Sequence, residues 1–200
     1  MPYFGFLPGT DARVLSALLE TTEPRSGRRI AARAGVGHTS ANRVLSKWVV
    51  LGLAHGTDTG HAILYSLNRR HLAFGPLEDL AQLRRELVQR IGHDIKNWSF
   101  KPVFVSVFGS TARADGDTRS DIDILVVRSE LDYRDEDAWE EQIETLRSDV
   151  LAWTGNHAGI SVVKPSDRDA GIRGRKNVWT AVADEGLAVY GKPVGYWSER

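Results

Sequence analysis

The sequence predicts an α+β chain in two modules, a helical front third and a strand-rich remainder. Three observations lead there. In the first seventy residues apolar side chains recur every three or four positions, the helical period, before two strand-like runs around a Gly- and Thr-rich tip. Between residues 101 and 127, two apolar β-branched runs flank a Gly-Ser turn and a pair of aspartates. The zero net charge also hides an asymmetry. Residues 1–70 carry nine Lys/Arg against four Asp/Glu, and the other 130 carry seventeen against twenty-two. The front module is therefore basic, which suits a polyanionic partner, and the rest is acidic.

The absence of cysteine excludes disulfides, thiolate zinc sites and cysteine nucleophiles. No run approaches eighteen consecutive apolar residues, and "MPYFGFLPGT" lacks a basic stretch leading into an apolar core. The expectation is a cytoplasmic protein with no membrane partner.

Taken in order, "DARVLSALLE" places Val14, Leu15, Leu18 and Leu19 on one helical face, with Thr10 or Asp11 as N-cap. "SGRRIAARAGVGHTSANRVLSKWVVLGL" reads as helix, turn, helix. Ser26 caps the first helix, "AGVG" makes the turn, and Thr39 or Ser40 opens the second, with Val44, Leu45, Trp48 and Val49 at core spacing. "LAHGTDTGHAILYSLN" has the turn chemistry of a hairpin.

Helices followed by a hairpin in this order resemble the winged helix-turn-helix family over about residues 10–68. The resemblance implies that the second helix of the motif enters the major groove of double-stranded DNA and the hairpin touches its backbone or minor groove. Carried over by position, Thr39, Ser40, Asn42, Arg43 and Lys47 would be the exposed polar residues of that helix. Asn42 and Arg43 suit base edges, Lys47 and the hydroxyls suit phosphates, and Arg28, Arg29 and His61 are expected on the backbone.

"GPLEDLAQLRRELVQRIGHDIKNW" has Leu80, Leu83, Leu87, Ile91 and Ile95 at spacings of three or four, a helix over 76–98 opened by Gly-Pro. It either links and dimerises the chain, since palindromic DNA needs paired readers, or packs on the following sheet. A homodimer is expected.

"KPVFVSVFGS" is a strand ending in a Gly-Ser turn, "TARAD" a helical first turn, "GDTRS" a loop and "DIDILVV" a second strand. Residues two apart on a strand share a face, so Asp121 and Asp123 point together. Two carboxylates side by side resist ionisation unless a cation bridges them, and an all-oxygen site suits Mg²⁺ or Mn²⁺. A strand-turn-helix at Gly109–Ser110 aims backbone N–H groups outward, where phosphate oxygens can meet them. Phosphate cradle and paired metal ligands together point to nucleotidyl transfer.

"GSTARADGDTRSDID" resembles the signature of the DNA polymerase β-like nucleotidyltransferase superfamily, and most closely its small branch, the minimal nucleotidyltransferases. Gly109, Ser110, Ala112, Arg113, Ser120, Asp121 and Asp123 fall at matching positions, while Ala114 stands where glycine is frequent. The resemblance covers about residues 101–195, with "RKNVWTAVADEGLAVYGKP" similar to the branch's closing helix and strand. It implies a nucleotidyltransferase fold, a mixed β-sheet flanked by helices. Asp121 and Asp123 would hold Mg²⁺ or Mn²⁺, Gly109, Ser110, Arg113 and Ser120 would bind a nucleoside triphosphate, with ATP expected, and Ser110 and Arg113 would join the two aspartates in catalysis. The boundaries expected are a winged helix-turn-helix domain at 1–70, a linking helix at 71–98 and a minimal nucleotidyltransferase domain at 99–200.

The family's third carboxylate comes from a later strand, here "HAGISVVKP", where Ser161 takes its position. Serine brings neither negative charge nor a base near neutral pH. Asp167 and Asp169 lie beyond Pro165. The acidic run at 130–153 reads as a solvated helix with Trp139, Ile143, Leu146 and Val150 inward. His71, His93 and His157 read as ordinary surface or loop histidines, and Arg173, Arg175 and Lys176 as a basic cluster, either solvated charges at a helix start or a site for a triphosphate or polynucleotide acceptor.

Two functions follow as expectations. One is an enzyme that transfers a nucleoside monophosphate to a protein or nucleic-acid hydroxyl, as antitoxins of this branch modify partner toxins. The other is a transcriptional regulator whose nucleotidyltransferase domain binds nucleotide or partner without turnover.

Overall fold

The computed structural model describes residues 9–113, 120–129, 135–164 and 178–192. The chain divides between Leu83 and Arg84 into two compact units, so the boundary falls inside the helix that the sequence assigns to a linker.

In the front unit, α1 (Gly9–Leu19), α2 (Gly27–Ala34) and α3 (His38–Val50) surround one core of Val14, Leu15, Leu18, Ile30, Leu45 and Trp48. The helical spacing read from the sequence is the spacing of these buried positions. Gly35 ends α2 in the left-handed region at φ 61, which lets the Val36 N–H reach the Ala31 carbonyl at 3.1 Å. α3 begins at His38 with Gly37 in the extended cap conformation, so neither Thr39 nor Ser40 is the cap. A three-stranded antiparallel sheet completes the unit in the order β1 (Arg25–Ser26), β3 (Ile63–Leu67), β2 (Ala54–Asp58), and β2 and β3 form the expected hairpin. The following helix, α4, runs Phe74–Asn97. It starts two residues before Pro76 because a proline in a first helical turn gives up an N–H that has no intrahelical partner.

In the second unit a mixed sheet has the order β6 (Ala158–Val163), β5 (Ile122–Val127), β4 (Phe104–Phe108), β7 (Leu187–Tyr190). β5 pairs parallel to β6, and the other two pairings are antiparallel. Strand β5 is buried on both faces. Ile122, Ile124 and Val126 meet Leu87, Ile91 and Ile95 of α4 and Trp139, Ile143, Leu146 and Val150 of α6 (Glu136–Thr154). Leu125 and Val127 meet Phe104 and, on α7 (Val178–Glu185), Trp179 and Val182. Two-sided burial explains why "ILVV" is an uninterrupted apolar run rather than an alternating one. Each inward position read on α6 is buried, and Trp139 stands edge-on to Trp98 with centroids 5.7 Å apart. Among the described residues no helix is long and apolar enough to cross a membrane.

Candidate functional site

The candidate site lies where β4 turns into the short helix α5 (Gly109–Arg113). Gly109 has φ 67, a left-handed conformation that favours glycine. Phe108, just before it, is in register with Asp123 on β5. A Cβ at position 109 would stand 3.1 Å from Asp123 Cγ and closer still to Oδ2. On the other side Gly159 of β6 is in register with Asp123, and a Cβ there would come within 3.3 Å of Oδ1. The Asp123 carboxylate thus occupies a slot whose two walls are glycines.

Asp121 precedes β5 and is exposed, while Asp123 is half-buried. Burial pushes the Asp123 carboxyl up from its ordinary range, and the Asp121 charge pushes the same way. Arg113 opposes them, and Glu185 adds a smaller upward push. The backbone on either side of Asp121 is held by the turn leading into β6. Asn156, a buried amide, donates to the Ser120 carbonyl at 2.9 Å, and Ile122 N–H donates to the His157 carbonyl at 2.8 Å. Ser110 lies half-buried in the first turn of α5, and Arg113 is its last residue. Arg84 Nη1 donates to the Ala112 carbonyl at 2.8 Å, and Arg113 Nη1 to Glu185 Oε1 at 2.7 Å.

The structure therefore brings Gly109, Ser110, Arg113, Ser120, Asp121 and Asp123 to one end of the β4–β5 pair. Sequence reasoning missed Asn156, Gly159 and Glu185. Asn156 and Gly159 could have been found from the "NHAG" leading into a strand that must run beside the aspartates. Glu185, distant in sequence, gave no such signal.

Ser161 is exposed on β6, in register with Leu125 and two residues from Gly159, so it shares the face of Asp123. Asp167, Asp169, Arg173, Arg175 and Lys176 lie outside the described residues. His157 contributes its backbone carbonyl, His71 accepts from the Ala73 N–H through Nδ1 at 3.1 Å, and His93 is exposed on α4. Among the described residues no group of three or more His, Cys, Asp or Glu side chains is gathered for a metal ion. Two neighbouring carboxylates still fit Mg²⁺, which commonly takes one or two protein carboxylates and leaves other positions to water and phosphate.

In the front unit Thr39 and Arg43 are exposed on α3, as are Arg28 and Arg29 on α2 and His61 at the hairpin tip. Ser40 is half-buried. Two residues are less free than the sequence suggests. Asn42 is half-buried over Gly27 and its amide lies 3.2 Å from His38 Nε2, because positions i and i+4 adjoin on a helix. Lys47 is paired with Asp11, itself a buried residue. Arg28, His38, Asn42 and His61 line one recess of about 360 Å³.

Residues 83–169 match the family described as "Nucleotidyltransferase domain", which covers the α4–β6 portion of the second unit and supports nucleotide transfer in general. No curated protein matches the chain significantly. Among solved structures, human N-acetylserotonin methyltransferase in complex with SAM is 14 % identical with a TM-score of 0.30, over 49 % of this chain and 33 % of that one. HmgR of Pseudomonas aeruginosa is 24 % identical with a TM-score of 0.28, over 61 % of this chain and 46 % of that one. The chain spans less than half of either protein.

Proposed function

We propose that the second unit binds a nucleoside triphosphate, with ATP the first candidate, and transfers its nucleoside monophosphate to a hydroxyl of a protein or nucleic acid. The observation that carries this reading is the Asp123 carboxylate held between Gly109 and Gly159 beside Asp121, within a match to the nucleotidyltransferase domain. Asp121 and Asp123 would hold Mg²⁺ or Mn²⁺, which when bound neutralises the triphosphate and makes its α-phosphorus a better electrophile. Ser110 and the Gly109 turn bind phosphate oxygens, Ser120 is a further candidate nucleotide contact, and Arg113 opposes developing negative charge. The acceptor oxygen bonds to the α-phosphorus, the bond to the β-phosphate oxygen breaks, pyrophosphate leaves, and the hydroxyl proton passes to solvent.

The front unit is read as a winged helix-turn-helix that binds double-stranded DNA. Support comes from the order of three helices and a hairpin, its excess of Lys/Arg, and exposed Arg28, Arg29, Thr39 and Arg43. A homodimer on a palindromic site, and an antitoxin-like role with a toxin as acceptor, complete the proposal. Exposed Ser161, in place of a third carboxylate, favours a second reading, a regulator that binds nucleotide without turnover.

Incubation with radiolabelled ATP, GTP, CTP or UTP, Mg²⁺ or Mn²⁺ and cell lysate separates them. Transfer of label that Asp121→Ala abolishes is the expected result. Nucleotide binding with no transfer gives the second reading, and neither binding nor transfer overturns both. For DNA, Arg43→Ala should weaken operator binding about tenfold or more, the scale of a lost bidentate base contact, and affinity should fall steeply with salt. Gel shifts across a salt series check both.

A further inference from the structure

The fold holds the two aspartates in different ways. Asp123 lies inside the sheet ladder, in register with Phe108 on one side and Gly159 on the other. Asp121 is exposed and precedes the first registered pair on either side, Asp123 with Phe108 and Ile122 with Ala158. Its place therefore depends on the two peptide groups that flank it. A peptide group is planar, so fixing its carbonyl also fixes the N–H and Cα that follow. Asn156 Nδ2 donates to the Ser120 carbonyl at 2.9 Å, and the Ile122 N–H donates to the His157 carbonyl at 2.8 Å. Two consecutive residues thus clamp the peptides before and after Asp121.

The clamp is itself anchored to α6. Gly155 ends that helix at φ 73, and its N–H reaches the Leu151 carbonyl at 2.8 Å. The Thr154 hydroxyl donates to the Val150 carbonyl at 2.7 Å and accepts from the Asn156 N–H at 3.0 Å. Asn156 is buried, and a buried amide costs free energy unless it is hydrogen-bonded. Here one of its bonds goes to the peptide that carries a candidate metal ligand.

We propose that Asn156 is a positioning residue for the metal site, holding the Ser120–Asp121 peptide so that the Asp121 carboxylate stands beside Asp123 to receive a divalent cation. The inference rests on the nucleotidyltransferase reading of that site. A partner that orients a metal ligand from outside the coordination sphere changes metal affinity by about 10–100-fold when it is lost. A residue that only stabilises the turn would lower the melting temperature and leave the affinity of the folded chain unchanged.

The experiment is an NMR titration of the full chain with Mg²⁺ alone, on wild type, Asn156→Leu, Asn156→Ala and Ile143→Val. Leucine has the branched shape of asparagine, so it keeps the turn filled while removing the donor, and alanine removes both. Ile143 belongs to the buried face of α6, so trimming it lowers stability without touching the clamp. Before any Mg²⁺ is added, Asn156→Leu should shift the Ser120 carbonyl carbon and the Asp121 amide. It should then bind Mg²⁺ about tenfold more weakly than wild type. Ile143→Val should melt lower and leave both readings where they are in wild type. Wild-type Mg²⁺ affinity in either Asn156 variant that folds overturns the inference and leaves the nucleotidyltransferase reading intact. Equal weakening in Ile143→Val does the same, as does failure of both Asn156 variants to fold, which would assign the residue to stability alone. A wild-type chain that binds neither Mg²⁺ nor Mg²⁺ with ATP overturns the reading and this inference with it.

Discussion

Gly109→Ala should abolish Mg²⁺ and triphosphate binding and lower the stability of the second unit by roughly 1–3 kcal/mol. Two penalties meet at this residue. An L side chain at φ 67 costs about 1–2 kcal/mol of backbone strain. The new methyl would also overlap the Asp123 carboxylate, since a Cβ at 109 already stands 3.1 Å from Asp123 Cγ and nearer to Oδ2. On the far side Asp123 faces Gly159, where a would-be Cβ would stand 3.3 Å from Oδ1, so a displaced carboxylate moves toward the β6 backbone. The carboxylate must swing out of the slot or the turn must open, and either loses its alignment with Asp121. Gly35→Ala supplies the control. Gly35 has φ 61 and nothing within 4 Å of its would-be Cβ, so it carries the strain without the collision. Urea denaturation should show a stability loss in both variants, while calorimetry should show loss of Mg²⁺ and nucleotide binding only in Gly109→Ala. A Gly109→Ala chain that binds Mg²⁺ and ATP like wild type would show that the slot does not hold a working carboxylate.

The sequence carries the fold wherever one periodicity dominates. Val14, Leu15 and Leu18 on α1 and Trp139, Ile143, Leu146 and Val150 on α6 are buried at the helical spacing that identifies them. Asp121 and Asp123 are legible because aspartates at the mouth of and inside an apolar strand break the local rule, and such breaks concentrate at functional sites. What the sequence hides depends on register and long-range contact. The pairing of Asp123 with both Phe108 and Gly159 is set by how three strands align, which no local pattern encodes. The Arg113–Glu185 pair joins residues 72 positions apart. The internal partners of Asn42 and Lys47 are hidden for a related reason. Polar side chains on a helix look alike in sequence whether they face solvent or a buried carboxylate such as Asp11.

Asp123→Asn should end nucleotidyl transfer and yet make the metal-free protein slightly more stable at neutral pH. Asparagine is nearly the same shape, so the slot between the glycines stays filled, but it brings no negative charge to a cation. Transfer should fall below detection, a loss of at least ~10³-fold if the carboxylate is a metal ligand. Stability moves the other way because the folded chain pushes the Asp123 carboxyl up, first by burial and then by the charge of Asp121. A carboxyl whose folded pKa is raised prefers to be protonated in the native state. Between the unfolded and folded values the native state binds more protons, so stability falls as pH rises through that window, and the full penalty is present above it. At neutral pH the wild-type chain carries this penalty and Asp123→Asn does not. The side chain is only half-buried, so solvent screening keeps the gain small, about 2 °C in Tm or less. Thermal unfolding in EDTA should show Asp123→Asn melting above wild type at pH 7, with the gap closing as the pH falls through the raised value. Added Mg²⁺ should raise the Tm of wild type alone, since only that chain keeps both carboxylates to bind it. Wild type melting above Asp123→Asn in EDTA at pH 7 would mean that native contacts favour the Asp123 charge, contrary to a carboxylate held in wait for a cation.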